Sequence, residues 1–260
     1  MVRRKYSRGY FIGGLLFAII LVAAVVKGDI LLQQILSDDD IMPVKAVQID
    51  GALKQLTRKQ IADMTGRICA GQNIAALDLS VLEKTLMQEP WVSKVSIKKK
   101  MPDTLVVSIV EHVPAAYWNE KGLYDAKTAS VFYPRENTFT APLVRLGAKR
   151  DNLAKEVYDS AVLFIRKMRG SPYQMFALDL DNVHSYTLTL NNKPRTRLIL
   201  GRGRNTALVR LERFLKAFSH TNVDINDVAY VDLRYDVGFA VGKVEKTGDK
   251  KNESVSKKQQ

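Results

Sequence analysis

Three histidines, His112, His184 and His220, are the side chains best suited to proton exchange near neutral pH, but they are widely scattered and lack metal-ligand spacing. Glu111 lies beside His112, an acid next to a base. In a strand, adjacent residues point to opposite faces, so the pair cannot converge on one substrate and reads as structural. Asp38, Asp39 and Asp40 offer three carboxylates to a cation, yet without the D-x-D-x-D-G spacing of a calcium loop they read as a solvated turn. Gly201-Arg202-Gly203 lacks the third glycine of a dinucleotide loop and the lysine and hydroxyl of a P-loop. It reads as a turn, with Asn205 as the N-cap of a following helix. Cys69 is the single cysteine; it has no disulfide or CxxC partner and reads as a small buried apolar residue in Ile68-Cys69-Ala70. No G-x-S-x-G, HExxH or nucleotide motif is present. These residues predict no enzyme, no cofactor, no metal and no small-molecule substrate.

The elements that carry these residues begin with Tyr10–Val26, seventeen residues without a charge. As a helix this run spans about 25 Å, slightly less than a hydrocarbon core of about 30 Å. Lys27 can snorkel, and Gly28–Leu32 continue the apolar character. Arg3, Arg4, Lys5 and Arg8 precede the run without an acid among them, which predicts a cytoplasmic N-terminus and an exported remainder. The rival readings are a cleaved signal peptide and a buried core helix. The first lacks a clear small-x-small site; the second fits poorly after four basic residues. The net charge of +13 could suggest nucleic acid, but residues 1–9 carry +4 and residues 243–260 carry +3. The remaining +6 suits an anionic membrane surface and needs no nucleic-acid partner.

After the anchor, Leu31–Pro43 reads as a linker. Val44–Ile49 alternates as a strand, with Asp50-Gly51 at its exit. Thr57 and Gln60 form a capping box for a helix that Gly66 is expected to end. Asp78 caps a second helix, which Pro90 stops before Trp91, a residue placed to plug the gap between helix and sheet. Val92–Lys100 and Leu105–Val113, joined at Pro102-Asp103, complete a β-α-α-β-β unit. Lys98, Lys99 and Lys100 near the hairpin tip either contact anionic lipid or an acidic partner, or protect an edge strand against unwanted pairing.

The phrase Pro90-Trp91-Val92, Val95-Ser96-Ile97-Lys98-Lys99, Pro102-Asp103-Thr104-Leu105 and Glu111-His112-Val113-Pro114-Ala115-Ala116-Tyr117-Trp118 resembles the signature of the FtsQ/DivIB family. Members are single-pass proteins of the bacterial division machinery whose first extracytoplasmic domain is a POTRA fold. The resemblance runs on through Leu188–Asn192, Leu200–Gly203 and the closing stretch Asp227–Val241. It implies an α+β architecture: a cytoplasmic tail (1–9), a transmembrane helix (10–27), a juxtamembrane linker (28–43), a POTRA domain (44–113) and a mostly antiparallel β domain with two helices (114–242). Residues 243–260 are polar and read as a disordered tail.

Within the β domain, helices are expected from Asp151 or Asn152 to Met168 and from Leu208 to Phe218, with a hairpin of Tyr186–Leu190 and Arg195–Leu200 between them. Val228–Leu233 reads as a strand and Tyr235–Val241 as the last strand after a bend. The resemblance implies that this last strand, at the sheet edge, pairs with a strand of FtsB in complex with FtsL. The implied partner-binding residues are Arg234, Tyr235, Asp236, Val237, Gly238, Phe239, Ala240 and Val241. Gly238 would admit another backbone, and Tyr235 and Phe239 would anchor it; the bland alternative is that both rings pack their own sheet. Val237 and Lys243 depart from the family's pattern, where a small residue and an aromatic are common. The implied function is a non-enzymatic inner-membrane scaffold at the division septum that links early and late division proteins and helps regulate septal peptidoglycan synthesis. The competing function is a POTRA-containing export or assembly factor; the chain has one such unit and no barrel-length series of strands.

Overall fold

The computed structural model describes residues 8–37, 42–135 and 139–244. The readings of Arg3 to Lys5, of Asp38 to Asp40 and of the tail beyond Val244 lie outside the described residues. The chain divides into two compact units between Glu111 and His112.

The first unit opens with α1 (Arg8–Ser37), thirty residues and about 45 Å long. Its stretch Ile12–Leu31 is apolar enough to cross a membrane, and none of it is buried. The helix does not stop at Lys27. Gly28 costs a helix only about 1 kcal/mol, and Ile30–Leu36 is rich in good helix formers, so the segment read as a linker is helical as far as Ser37. β1 (Ala46–Asp50) and α2 (Arg58–Cys69) follow. Thr57 accepts from the Gln60 N–H while the Gln60 side chain accepts from the Thr57 N–H, the expected capping box. Gly66 does not end this helix. Ile61, Thr65 and Cys69 bury one continuous face four residues apart, which carries the helix one turn further, and Gly71 with φ +77° supplies the exit.

Asp78 caps α3 (Leu79–Leu86), and β2 (Val92–Lys100) and β3 (Thr104–Glu111) form the hairpin. The three strands order as β1-β3-β2, with β1 parallel and β2 antiparallel to β3. Leu105, Val107 and Ile109 alternate inward on β3 towards a core with Ile61, Leu82, Leu86 and Trp91. Glu111 closes this unit: its two carboxylate oxygens accept from the backbone N–H groups of Lys54, Gln55 and Leu56 at 2.7 to 3.2 Å.

Among its described residues the second unit is one sheet of nine strands with two α-helices. In chain order the elements are β4 (Pro114–Trp118), β5 (Gly122–Asp125), β6 (Ser130–Phe132), β7 (Arg145–Ala148), α4 (Ala154–Met168), β8 (Met175–Leu180), β9 (Ser185–Leu190), β10 (Arg197–Arg202), α5 (Arg204–Ala217), β11 (Val228–Asp232) and β12 (Ala240–Lys243). The strands lie in the order β12-β11-β10-β9-β8-β7-β4-β5-β6. Pairings β4·β7, β7·β8 and β10·β11 are parallel and the other five antiparallel, so the sheet is mixed with an antiparallel majority.

The strand residues Trp118, Leu146, Leu178, Leu188, Leu198 and Val231 pack with Val157, Phe164, Leu211 and Phe214 of the two helices in one core. The α5 stripe falls as expected, with Leu211, Phe214 and Phe218 buried and Leu208 and Leu215 partly so. Its start does not. Gly203, at φ +80°, stands at the N-cap without a side-chain cap, and Asn205 is already helical. The Ala207 N–H bonds the Gly203 carbonyl at 2.9 Å, so the glycine's backbone conformation sets the start.

Candidate partner-binding edge

The last strand is shorter than the alternation of the sequence suggests. β12 covers only Ala240–Lys243, paired antiparallel with β11 through Asp232↔Ala240, Val231↔Val241 and Tyr230↔Gly242. Tyr235–Gly238 is a bend, not a strand. Two arginines from α5 produce it. The Arg213 guanidinium donates to the carbonyls of Leu233 at 2.9 Å, Tyr235 at 2.6 Å and Asp236 at 2.6 Å. Arg210 donates to the carbonyls of Leu200 at 2.7 Å and Arg234 at 3.0 Å. A strand points successive carbonyls to alternate sides. Here the carbonyls of four consecutive residues are drawn to two guanidiniums, which is incompatible with a strand.

Of the eight expected residues, the structure spreads three behaviours along the segment. Tyr235 is 55% exposed and Val237 94% exposed, so neither ring nor isopropyl group packs the home sheet. Phe239 does pack it, with its ring 6.0 Å from Phe218 in an aromatic group that includes Phe214 and Tyr173. Arg234 folds back on Asp232, with Nη2 at 2.7 Å and Nε at 3.0 and 3.1 Å. The hydrogen bond from the Arg234 side chain holds the Asp232 carboxyl below the usual carboxylate range, against the opposing effect of burial. Asp236 and Gly238 are exposed in the bend. Gly238 has φ +79°, and a Cβ there would meet nothing within 4 Å, so glycine is required by backbone conformation and not by space. Ala240 and Val241 lie on β12 at the end of the sheet, where β11 is the strand's one neighbour among the described residues.

Three residues of this edge escape sequence reading. Arg210 and Arg213 stand three apart on α5, half-buried beside the apolar stripe of Leu208, Leu211 and Phe214. Their signal is the persistence of arginine next to an apolar face, which a carbonyl-rich loop can use. Tyr230 is the third. A Cβ at Gly242 would fall 2.1 Å from its ring, so the ring lies across the edge strand and only glycine fits beneath it.

The other candidate chemistry is absorbed by structure. His112 Nδ1 donates to Asp125 Oδ2 at 2.9 Å, and its ring stacks on Phe132 with centroids 4.3 Å apart. His184 Nδ1 lies 3.8 Å from Glu156 Oε1. Cys69 is buried, and burial raises its thiol pKa. Lys99 donates to the Ala75 carbonyl at 2.8 Å, while Lys98 and Lys100 are exposed on β2, an edge strand of its sheet. Among the described residues no group of three His, Cys, Asp or Glu side chains is placed to hold a metal.

Comparison with known proteins gives two family matches in series. The model described as POTRA domain, FtsQ-type matches residues 42–112, and that described as Cell division protein FtsQ/DivIB, C-terminal matches residues 116–234. The second match ends at Arg234, before most of the candidate segment. Relatives named Cell division protein FtsQ are similar over most of the chain. That of Shewanella oneidensis is 26% identical over 240 residues, 92% of this chain and 89% of the relative. That of Escherichia coli K12 is 26% identical over 247 residues, 93% and 87%. That of Aliivibrio fischeri is 27% identical over 213 residues, 80% and 78%.

Proposed function

Because this chain belongs to the FtsQ/DivIB family of cell-division proteins, a non-enzymatic structural component of the divisome, we propose that it is the membrane-anchored scaffold that holds FtsB, in complex with FtsL, along the edge of its second domain. A strand of FtsB adds to β12, continuing the nine-stranded sheet by one. Backbone hydrogen bonds supply affinity, and the flanking side chains set specificity. The observation that carries this reading is the union of an open edge strand with two exposed apolar side chains, Tyr235 and Val237, on a segment that arginines hold in place. A strand edge unpaired among the described residues is a ready template for pairing with another chain, and the exposed Tyr235 and Val237 beside it offer that chain apolar contact.

The same reading places α1 in the inner membrane with the N-terminus cytoplasmic and both later units periplasmic, at the division septum. There the scaffold links early and late division proteins and helps regulate septal peptidoglycan synthesis. The basic cluster before the apolar run supports the orientation. The test is the affinity of the full-length protein for the periplasmic segments of FtsB and FtsL. Tyr235→Ala is expected to weaken binding by about tenfold or more, as loss of an interface anchor does, without lowering the melting temperature of the second unit; Gly238→Glu is expected to weaken binding and, because φ +79° disfavours a side chain there, to cost about 1 kcal/mol of stability as well. Equal affinities in correctly folded variants would remove the edge from the interface. Phe239→Ala is expected to lower stability as well, since its partly buried ring packs against the core beside Phe218.

A further inference from the structure

We infer that the helix-free face of the nine-stranded sheet carries a receptor for an extended acidic segment of a partner protein, built from Arg145 and Arg195 seated on the ring of Phe176. It lies on strands in the middle of the sheet and does not depend on the β12 edge. Leu146, Leu178, Leu188 and Leu198 point into the core shared with α4 and α5, so strand alternation sends Arg145, Ala177, Thr189 and Arg197 to the other face. Those four stand side by side in register across β7, β8, β9 and β10. Among the described residues both α-helices of the unit pack on the core face, while Arg145, Arg195 and Arg197 are exposed.

Two local irregularities accompany the cluster. The pairing of β8 with β9 shifts between Met175 and Ala177, and Phe176 stands at that shift, outside the core and half-buried. Arg195 has φ +54°, a left-handed conformation that disfavours a residue with a long side chain. Its guanidinium carbon lies 3.5 Å from the centre of the Phe176 ring, and the group donates to Asn191 Oδ1. The guanidinium carbon of Arg145 lies 5.7 Å from the centre of the same ring and 4.9 Å from that of Tyr117, whose hydroxyl is fixed by the backbone of Ala141. An arginine seated on a ring keeps the N–H edge of its fork for a planar carboxylate. Arg145, Arg195 and Arg197 have no ion-pair partner among the described residues.

Charge selects the occupant. Of the acids on the unit's strands, Asp125 is paired with His112 and Asp232 with Arg234. Asp179 is unpaired among the described residues, but it stands in the next row, beside Gly147 and Thr187, and leaves the row of guanidiniums positive. A second copy of this face would set like charges against each other, and residues 243–260 of the chain itself carry +3. The rings of Tyr117 and Phe176 are engaged with guanidiniums, where a sugar site would present them open. Carboxylates two residues apart on an extended peptide are about 7 Å apart, a spacing that two guanidiniums over one ring can meet together.

The experiment measures binding of a fluorescent peptide of alternating Ser and Glu, and of its Ser–Gln counterpart, to the full-length protein in nanodiscs of uncharged lipid at fixed salt. The acidic peptide is expected to bind about tenfold more tightly than the amide peptide. Arg195→Lys keeps the charge without the fork, and Phe176→Leu keeps the charge without the seat; each is expected to weaken binding about fivefold. Arg166→Gln removes an exposed arginine of α4 and is expected to change binding less than about twofold. If Phe176→Leu lowers the melting temperature, Arg195→Lys decides. Equal binding of the two peptides, no binding of either, or an Arg195→Lys variant that binds as wild type does would overturn the receptor. Each of these results leaves the edge reading standing, because no variant touches β11 or β12.

Discussion

Glu111 shows what a residue next to a histidine is for in this chain. The sequence offers an acid–base pair, and strand alternation sends its members apart. Glu111 gathers three backbone N–H groups of the loop before α2, while His112 bonds Asp125 in the other unit. That Glu111 is structural is legible from alternation; that it ties down residues 54–56 is not, because those donors lie more than fifty residues away in sequence. Glu111→Gln replaces one acceptor oxygen by an NH2 group facing N–H donors. It is expected to destabilise the first unit by about 1–3 kcal/mol, read as a lower thermal midpoint of the full-length protein. An unchanged midpoint would show that the loop holds without this contact. Arg213 is the opposite case. Its place beside the apolar stripe of α5 hints only that its stem is part-buried, and only the path of the chain after Leu233 brings carbonyls within its reach.

At the scale of elements, the caps and stripes were legible wherever the deciding contacts are local. The Thr57–Gln60 box, the Asp78 cap and the apolar face of α5 all lie within a few residues of the helices they define. The misreadings at Gly66, Asn205 and Tyr235 share a cause. In each, tertiary contact or glycine conformation outweighs the nearest propensity signal: burial of Thr65 and Cys69 extends α2, Gly203 starts α5, and the two arginines bend what would be a strand. Gly201 joins these elements. It has φ +78° at the irregularity in the β9–β10 pairing, and a Cβ there would lie 2.5 Å from Arg210 Nη1 and 3.1 Å from Arg234 Cγ. Gly201→Ala is therefore expected to cost about 1–3 kcal/mol in backbone strain and to displace Arg210 from the Arg234 carbonyl. Faster hydrogen exchange at the Leu233 and Arg234 amides, which donate to the Ile199 carbonyl and the Asp232 carboxylate, beyond any global loss of stability, would register that displacement. Exchange unchanged there would separate the glycine from the clamp.

For the whole molecule, the order apolar helix, POTRA unit, β unit was legible because each has its own signal: an uncharged run, a β-α-α-β-β pattern, and a series of short strands around two amphipathic helices. The sheet order was not, because parallel pairings such as β4·β7 and β10·β11 join strands distant in sequence. The scaffold account also fixes a topology. A periplasm-dependent alkaline phosphatase fused after Gln260 is expected to be active, and replacing Arg3, Arg4, Lys5 and Arg8 with glutamate is expected to reduce that activity by admitting inverted chains. An inactive wild-type fusion would reverse the orientation. The central claim, that the molecule works by lending an open sheet edge, is tested most directly by hydrogen exchange on the full-length protein with and without the periplasmic segments of FtsB and FtsL. The account predicts that the partner slows exchange in Ala240–Lys243 more than anywhere else in the sheet. Slowed exchange confined to other surfaces, with β12 unchanged, would contradict it.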